Sequence, residues 1–417
     1  FPQIASSWIN TASTMFDRLK NLQAHTAYFL LKNCFAIPKL TYLLRTFPVW
    51  KFSDFSTRFD SLLRTTIETI LNVKLDDKPW TQATLPISIG GLGIRQVKDI
   101  SLPAFLGSAY GVKGIVSHIN HNSDETPISY LSDSLQAWTE INTSLPTSLS
   151  NQHSWDAINS HRIITSEFNT ADLYDLARLN ALQRQESNAW LNAFPSKHIG
   201  TLMDNNSLRI CMALRLGSTI CRPHRCICGT AVDKFGRHGL ACQKSAGRFT
   251  RHIELNKIIC QALCSIHTPA KLEPTGMCRK DGKRPDGLTL VPWSNGMCLV
   301  WDATCCDTFA DSYVRMSSMS AGRAAEAAAL QKHDLYSEIE GNNYIFVAFA
   351  VETMGSWCAE ALSLAESIGS KLIESSGDRR SKEYFYQRLS MAIQRANAAS
   401  IIASIPTTSK LDEIFYL

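Results

Sequence analysis

From Ile4 to Leu71 apolar positions recur near a helical period. Leu19, Leu22, Ala27, Leu30, Leu31 and Cys34 form one stripe, and Pro38 breaks the run. A second stripe, Phe55, Phe59, Leu62, Leu63 and Ile67, predicts another amphipathic helix after Phe52. At Gly90-Gly91-Leu92-Gly93, three glycines in four positions predict a tight turn. No helix cap and no Lys-Ser/Thr pair follows, so the run is not a phosphate-binding loop. Residues 119–152 are rich in Ser, Asn, Thr, Asp and Pro and read as the main linker. Helical periodicity returns at about 153–168, 171–192 and 204–216, the middle segment through Leu173, Leu176, Leu179, Leu182 and Trp190.

The last part of the chain changes rhythm. Arg248–Ser265 predicts a helix with Ile253, Ile258, Ile259 and Leu263 inward, followed by extended runs at 271–275, 285–291 and 298–304. An alanine-rich segment, Ala321–Glu340, is a strong helix former. Asn343–Glu352 reads as a strand dominated by Ile345, Phe346, Val347 and Phe349, and two helices close the chain, with Phe385, Leu389, Ile393 and Ala396 as a core stripe. Helix, three strands, helix, strand, helix is the order of an α/β sandwich of about 150 residues. The expected class is therefore multidomain α+β: a helical region 1–118, a linker and helical region 119–220, a small Cys/His module 221–245, and an α/β domain 246–417.

Composition adds limits. At 417 residues there is room for two or three domains of about 150 each. With 45% hydrophobic and 19% charged residues the chain has an ordinary globular composition. No apolar run reaches the roughly 18 residues that span a bilayer, and no basic-then-apolar leader is present. An opening of Phe1-Pro2-Gln3, without Met, reads as a piece of a longer polypeptide. Thirteen cysteines without disulfide-scaffold spacing point to a reducing compartment, with thiols buried or metal-bound. The net charge of +5 hides a block: residues 206–290 carry 15 Lys/Arg against 5 Asp/Glu, while 111–205 and 291–417 are each acidic. Such a block suggests a polyanionic partner.

Two constellations carry chemistry. Cys226-x-Cys228, then His238 and Cys242, offer the thiolates and imidazole that zinc prefers in tetrahedral sites, with Gly229, Gly236 and Gly239 supplying turns. The single-residue gap between the first two cysteines is shorter than usual, so the backbone must turn there, and Cys221 or His224 can replace one ligand. Metal binding would contribute on the order of 10 kcal/mol to local folding. Around it, Arg222, Arg225, Lys234, Arg237, Lys244, Arg248 and Arg251 would contact phosphates, giving salt-dependent affinity. The second constellation is Lys283-Arg284-Pro285-Asp286 followed by Val300-Trp301-Asp302-Ala303-Thr304, which can bring two carboxylates together at a sheet edge. That suits a divalent metal and phosphodiester cleavage, because only a metal lets two such close acids ionise at neutral pH. Each residue also has a plainer reading: a Pro-Asp turn, a turn-bonding Asp302, an exposed Lys332, a Glu254–Lys257 salt bridge, a structural His252.

These motifs together resemble the C-terminal part of a non-LTR retrotransposon polyprotein, of the site-specific kind that ends in a restriction-like endonuclease. The resemblance is strongest from Cys226 to Tyr336, through Gly247-Arg248, Arg251-His252, Glu273-Pro274, Arg284-Pro285-Asp286, Trp301-Asp302-Ala303-Thr304 and Lys332 with Tyr336. His25-Thr26-Ala27, Leu43-Leu44-Arg45-Thr46 and Gly90-Gly91-Leu92-Gly93 are similar to a reverse transcriptase thumb and post-thumb. The polymerase palm is absent: no Tyr-x-Asp-Asp turn occurs, and Asp76-Asp77 lies in a polar loop.

The resemblance implies that Asp286 and Asp302 chelate Mg²⁺, which polarises the scissile phosphate and lowers the pKa of an attacking water. The usual lysine two residues after the second acid is replaced by Thr304; Lys332, four residues before Tyr336, matches the displaced position of this branch. Glu254 would supply a third carboxylate, and Arg225, Arg237, Lys244, Arg248, Arg251, His252, Arg284 and Tyr336 would meet nucleic acid. Zinc would be structural. The implied function is metal-dependent DNA nicking for target-primed reverse transcription, acting in the nucleus after cytoplasmic synthesis, with target DNA as partner, element RNA bound by the full polyprotein, and no membrane. The rivals are a catalytically inert nucleic-acid-binding relic and a helical scaffold with buried cysteines.

Overall fold

The structure, a computed structural model, describes residues 2–119, 129–245, 247–277, 282–340 and 344–405, with only the backbone described at Pro2, Ser129, Arg248 and Glu340. The chain is α+β and divides into two compact units: Phe1–Ile87 with Gly91–Thr170, and Ser88–Gly90 with Ala171–Leu417. Among the described residues no helix is long and apolar enough to cross a membrane.

The first unit is built from helices α1 (Pro2–Leu19), α2 (Ala24–Leu30), α3 (Ile37–Thr46), α4 (Ser53–Leu71), α5 (Asp77–Ala83), α6 (Val97–Ile119), α7 (Ser129–Ile141) and α8 (Gln152–Glu167). Pro38 stands in the first turn of α3, where its missing N–H costs nothing, so it opens a helix after a π turn at Leu31–Phe35. Of the first stripe, Leu22 and Cys34 face solvent, while Leu19, Ala27 and Leu31 are buried. In α4, Phe55, Phe59, Leu63 and Ile67 point into the core as their period predicts, with Leu62 at its rim. The glycine turn closes with Gly91 N–H on Pro86 O (3.0 Å) and Gly93 N–H on Leu85 O (3.0 Å). A Cβ at Gly91 would lie 2.0 Å from Leu85 O, so the turn tolerates only glycine. Asp60 of α4 caps α6, accepting from Val97 N–H (2.7 Å) and Lys98 N–H (3.1 Å).

The polar stretch 119–152 is not a plain linker. Its residues 120–128 lie outside the described residues, but α7 follows, and Trp138 meets Trp155 edge-on at 4.9 Å in a core with Leu102 and Leu106. Each indole N–H finds a carbonyl, Trp138 on Ser144 O (2.9 Å) and Trp155 on Leu149 O (2.7 Å). Sparse tryptophans thus anchor a segment whose other residues are polar, and the division of the chain falls after Thr170.

The second unit comprises α9 (Leu173–Leu182), α10 (Gln185–Asn188), α11 (Asn205–Leu216), the hairpin β1 (His224–Arg225) and β2 (Ala231–Val232), α12 (His238–Ala241), α13 (Gly247–Ser265), β3 (Ala270–Leu272), β4 (Gly287–Thr289), β5 (Leu299–Cys306), α14 (Val314–Met319), α15 (Arg323–Glu340), β6 (Ile345–Glu352), α16 (Ala359–Ser376) and α17 (Arg380–Ile402). The main sheet has the order β3-β4-β5-β6, antiparallel except for β5 and β6, which run parallel and are joined across α15. Asn343, placed by its sequence at the start of the last strand, lies outside the described residues.

The core joins Leu255, Ile258, Ile259 and Leu263 of α13 to Trp301 of β5, Ala325 and Ala329 of α15, and the α17 stripe Phe385, Leu389 and Ile393. Ile253, expected inward, is exposed, and Leu255 takes its place. The helix expected over 171–192 breaks between α9 and α10, and its buried face is Ala177, Arg178, Ala181 and Leu182. Arg178 turns inward because its Nη1 donates to Arg215 O (2.5 Å) and its Nη2 pairs with Asp175 (3.0 Å), which leaves Leu173 outside.

Candidate functional site

The Cys/His module begins at the β1–β2 hairpin. Cys226 N–H donates to Thr230 O (2.9 Å) and Gly229 N–H to Cys226 O (2.8 Å), with Gly229 at φ +93°. That left-handed turn curls the chain between the first two cysteines and brings both to one side despite their one-residue gap. His238 and Cys242 stand one helical turn apart, with Cys242 N–H on His238 O (3.0 Å). Cys226 Sγ lies 3.6 Å from Cys242 Sγ, Cys228 Sγ lies 3.2 Å from His238 Nε2, and all four ligand atoms fall within 4.8 Å of one another. Thiolates about 2.3 Å from a tetrahedral zinc stand about 3.8 Å apart, so the cluster can hold a metal such as zinc. Cys221 and His224 are not among the four clustered residues. Cys221 Sγ faces Asp233 O at 3.5 Å and His224 Nδ1 faces Arg222 O at 3.0 Å. Burial pushes the Cys226 thiol up to about 12, whereas hydrogen bonding with Thr230 brings Cys228 down to about 6. A Cβ on Gly239 would sit 2.9 Å from Ile401 Cα, so that glycine lets the module lie directly on α17.

The carboxylates meet across β4 and β5. The paired register ends at Gly287 opposite Trp301, and just before it Asp286 N–H donates to Trp301 O (3.1 Å), the residue preceding Asp302. Asp286 Oδ2 accepts from Ala303 N–H (2.7 Å) and lies 2.8 Å from His252 Nε2. Lys332 Nζ stands 2.6 Å from Asp302 Oδ1 as an ion pair. Burial raises the Asp302 pKa, and the charge of Asp286 adds to it; Lys332 and the Tyr336 hydroxyl oppose both. The hydrogen bond to Asp286 raises His252. Asp286 and Asp302 are 9% and 3% exposed, whereas the side chains of His252 and Lys332 beside them are partly open to solvent.

Neighbouring elements fix this arrangement. Asn256 Oδ1 accepts the Trp301 indole N–H (3.0 Å), which keys α13 to β5. The buried Glu352 accepts Ala324 N–H (3.0 Å) and Ala325 N–H (3.3 Å), holding the start of α15 to the end of β6. His333 meets Glu360 at 2.6 Å on the next turn, and the helix departs from helical angles at Tyr336. Held at these points, α15 turns Lys332 toward β5.

Several expected contacts change. Glu254 pairs with Lys257 (3.0 Å) on the outer face of α13, and His252 stands beside the acids instead. Arg251 is 3% exposed, with Nη1 on Cys305 Sγ (3.2 Å) and Nη2 on Ser400 Oγ (3.3 Å), so it is not presented to phosphate. Tyr336 is buried and its hydroxyl donates to Arg284 O (3.0 Å). The Arg284 guanidinium pairs with Glu273. Arg237 sits among the rings of Tyr174 (4.5 Å), Phe235 (4.6 Å) and Phe309 (5.4 Å). The side chain of Arg248 lies outside the described residues. Arg222, Arg225, Lys234 and Lys244 remain exposed around the metal cluster. His252 was expected as a phosphate contact alongside Arg248, and the structure instead sets it beside Asp286, with Asn256 four residues on along the same helix face. The chain matches no family model and no curated protein.

Proposed function

We propose that the second unit is a metal-dependent DNA endonuclease with Asp286, Asp302 and Lys332 at its centre. The chain would be the C-terminal part of a non-LTR retrotransposon protein that nicks target DNA to prime reverse transcription. The observation that carries this reading is the convergence of three groups: Asp286 accepts from the N–H of Ala303, the residue after Asp302, its charge reaches Asp302, and Lys332 stands on that second acid. Oxygen ligands on one face suit a hard cation, and Asp286 and Asp302 would hold Mg²⁺. Mg²⁺, when bound, would supply a Lewis acid for phosphodiester hydrolysis. Ala303 N–H orients Asp286, and Lys332 brings beside the acids a positive charge that can balance charge developing on a phosphate. The metal cluster, zinc in this reading, and the exposed Arg225 and Lys244 would supply sequence-independent phosphate contacts in the nucleus. Element RNA would be a partner of the full polyprotein.

The burial of both acids, Asp302 paired with Lys332 and Asp286 in contact with His252, favours one other reading: a nucleic-acid-binding module without catalysis. Nicking of supercoiled plasmid in Mg²⁺ separates the two. Wild type should yield nicked circles, and Asp286→Ala or Lys332→Ala should lose about 100-fold or more in rate. Nicking that survives Asp286→Ala would sink the site assignment. DNA binding without nicking by wild type would establish the inert reading.

A further inference from the structure

We propose that His252 is a positioning residue of the carboxylate centre, holding Asp286 by one oxygen so that the other faces a divalent cation. The inference rests on the reading of Asp286 and Asp302 as a cation site. Both donors to Asp286, Ala303 N–H (2.7 Å) and His252 Nε2 (2.8 Å), converge on Oδ2. A carboxylate bound this way keeps the lone pairs of Oδ1 for another ligand. The backbone donor alone leaves the carboxylate free to rotate about that bond; a second donor from a different element removes the freedom.

His252 is itself held in place. It lies on α13 one turn before Asn256, and residues four apart share a helix face. Asn256 is buried and accepts from Trp301, the residue before Asp302 on β5. The helix is thus keyed to the strand that carries one acid while its imidazole holds the other. Lys332 approaches Asp302 from α15, so each carboxylate is fixed by a different helix. Partners of this kind, which touch a ligand and not the ion, change metal affinity by roughly 10–100-fold.

The test uses the full chain and Mn²⁺ as probe, with bound Mn²⁺ counted by the loss of the free-ion electron paramagnetic resonance signal. Loss of the signal change in Asp286→Ala identifies the site. His252→Gln keeps an N–H donor near the place of Nε2, and His252→Phe keeps a ring without one. His252→Phe should weaken Mn²⁺ binding about tenfold and raise the Mg²⁺ needed for half-maximal nicking equally, while His252→Gln stays within about threefold of wild type. Melting temperatures of the two variants should agree. Unchanged binding in His252→Phe overturns the inference, as do equal losses in both variants or a wild type that binds no Mn²⁺. Binding that follows His252 in a protein that nicks nothing would remove the nuclease reading and leave this inference standing.

Discussion

Gly287 leaves room for the indole of Trp301, the residue before Asp302. A Cβ there would sit 2.0 Å from Trp301 Cζ2, so the indole crosses β4 where only glycine leaves room. Gly287→Ala should therefore push Trp301 off Asn256 and destabilise the second unit by about 1–3 kcal/mol, read as a lower denaturant midpoint. An unchanged midpoint would mean that the ring has another place to pack. At this scale the two acids stood out as candidates, because a Pro-Asp before an extended run and an acid inside an apolar strand are conspicuous, whereas Lys332 entered only through the family resemblance. Arg251 and Tyr336 were not legible. A charged residue in a basic block reads as surface, and only α17, laid over α13, puts Arg251 against Ser400.

The Cys/His module gives its ligand set in sequence but not the way the chain brings that set together. Two cysteines separated by one residue cannot face one ion from a regular strand, and the left-handed Gly229 is what turns them. Purified protein should carry a single zinc per chain by atomic absorption. Cys226→Ser and Cys242→Ser should lose it together with up to about 10 kcal/mol of local folding free energy. Cys221→Ser should retain it, since that thiol faces Asp233 O. Zinc lost in Cys221→Ser and kept in Cys226→Ser would reassign the ligands. Helix α15 makes the same point about placement: its alanine-rich composition predicts a helix, yet Lys332 reaches Asp302 only because Glu352 holds the helix start.

Two compact units imply two separable unfolding transitions, each with its own trigger. In the first, burial raises the Asp60 carboxyl to about 7 against its two N–H bonds from α6. An acid that holds its proton more tightly when folded contributes stability that is complete below the ordinary carboxyl range and is lost as pH rises through about 7. The first unit should accordingly melt at lower temperature as pH goes from about 4 to about 8, and Asp60→Asn should flatten that slope. The second unit should ignore this substitution and respond to zinc chelation instead; a slope that persists in Asp60→Asn assigns the titration to another group. Sequence by itself determined the helix and strand types of the second unit and the four residues of the Cys/His cluster, because local periodicity and spacing encode them. The tertiary structure alone decided that the chain divides after Thr170, that Arg251 turns inward and that His252 rather than Glu254 joins the acids. Each of those depends on which face a distant segment covers, and a helical period records that a face is apolar without recording what will lie against it.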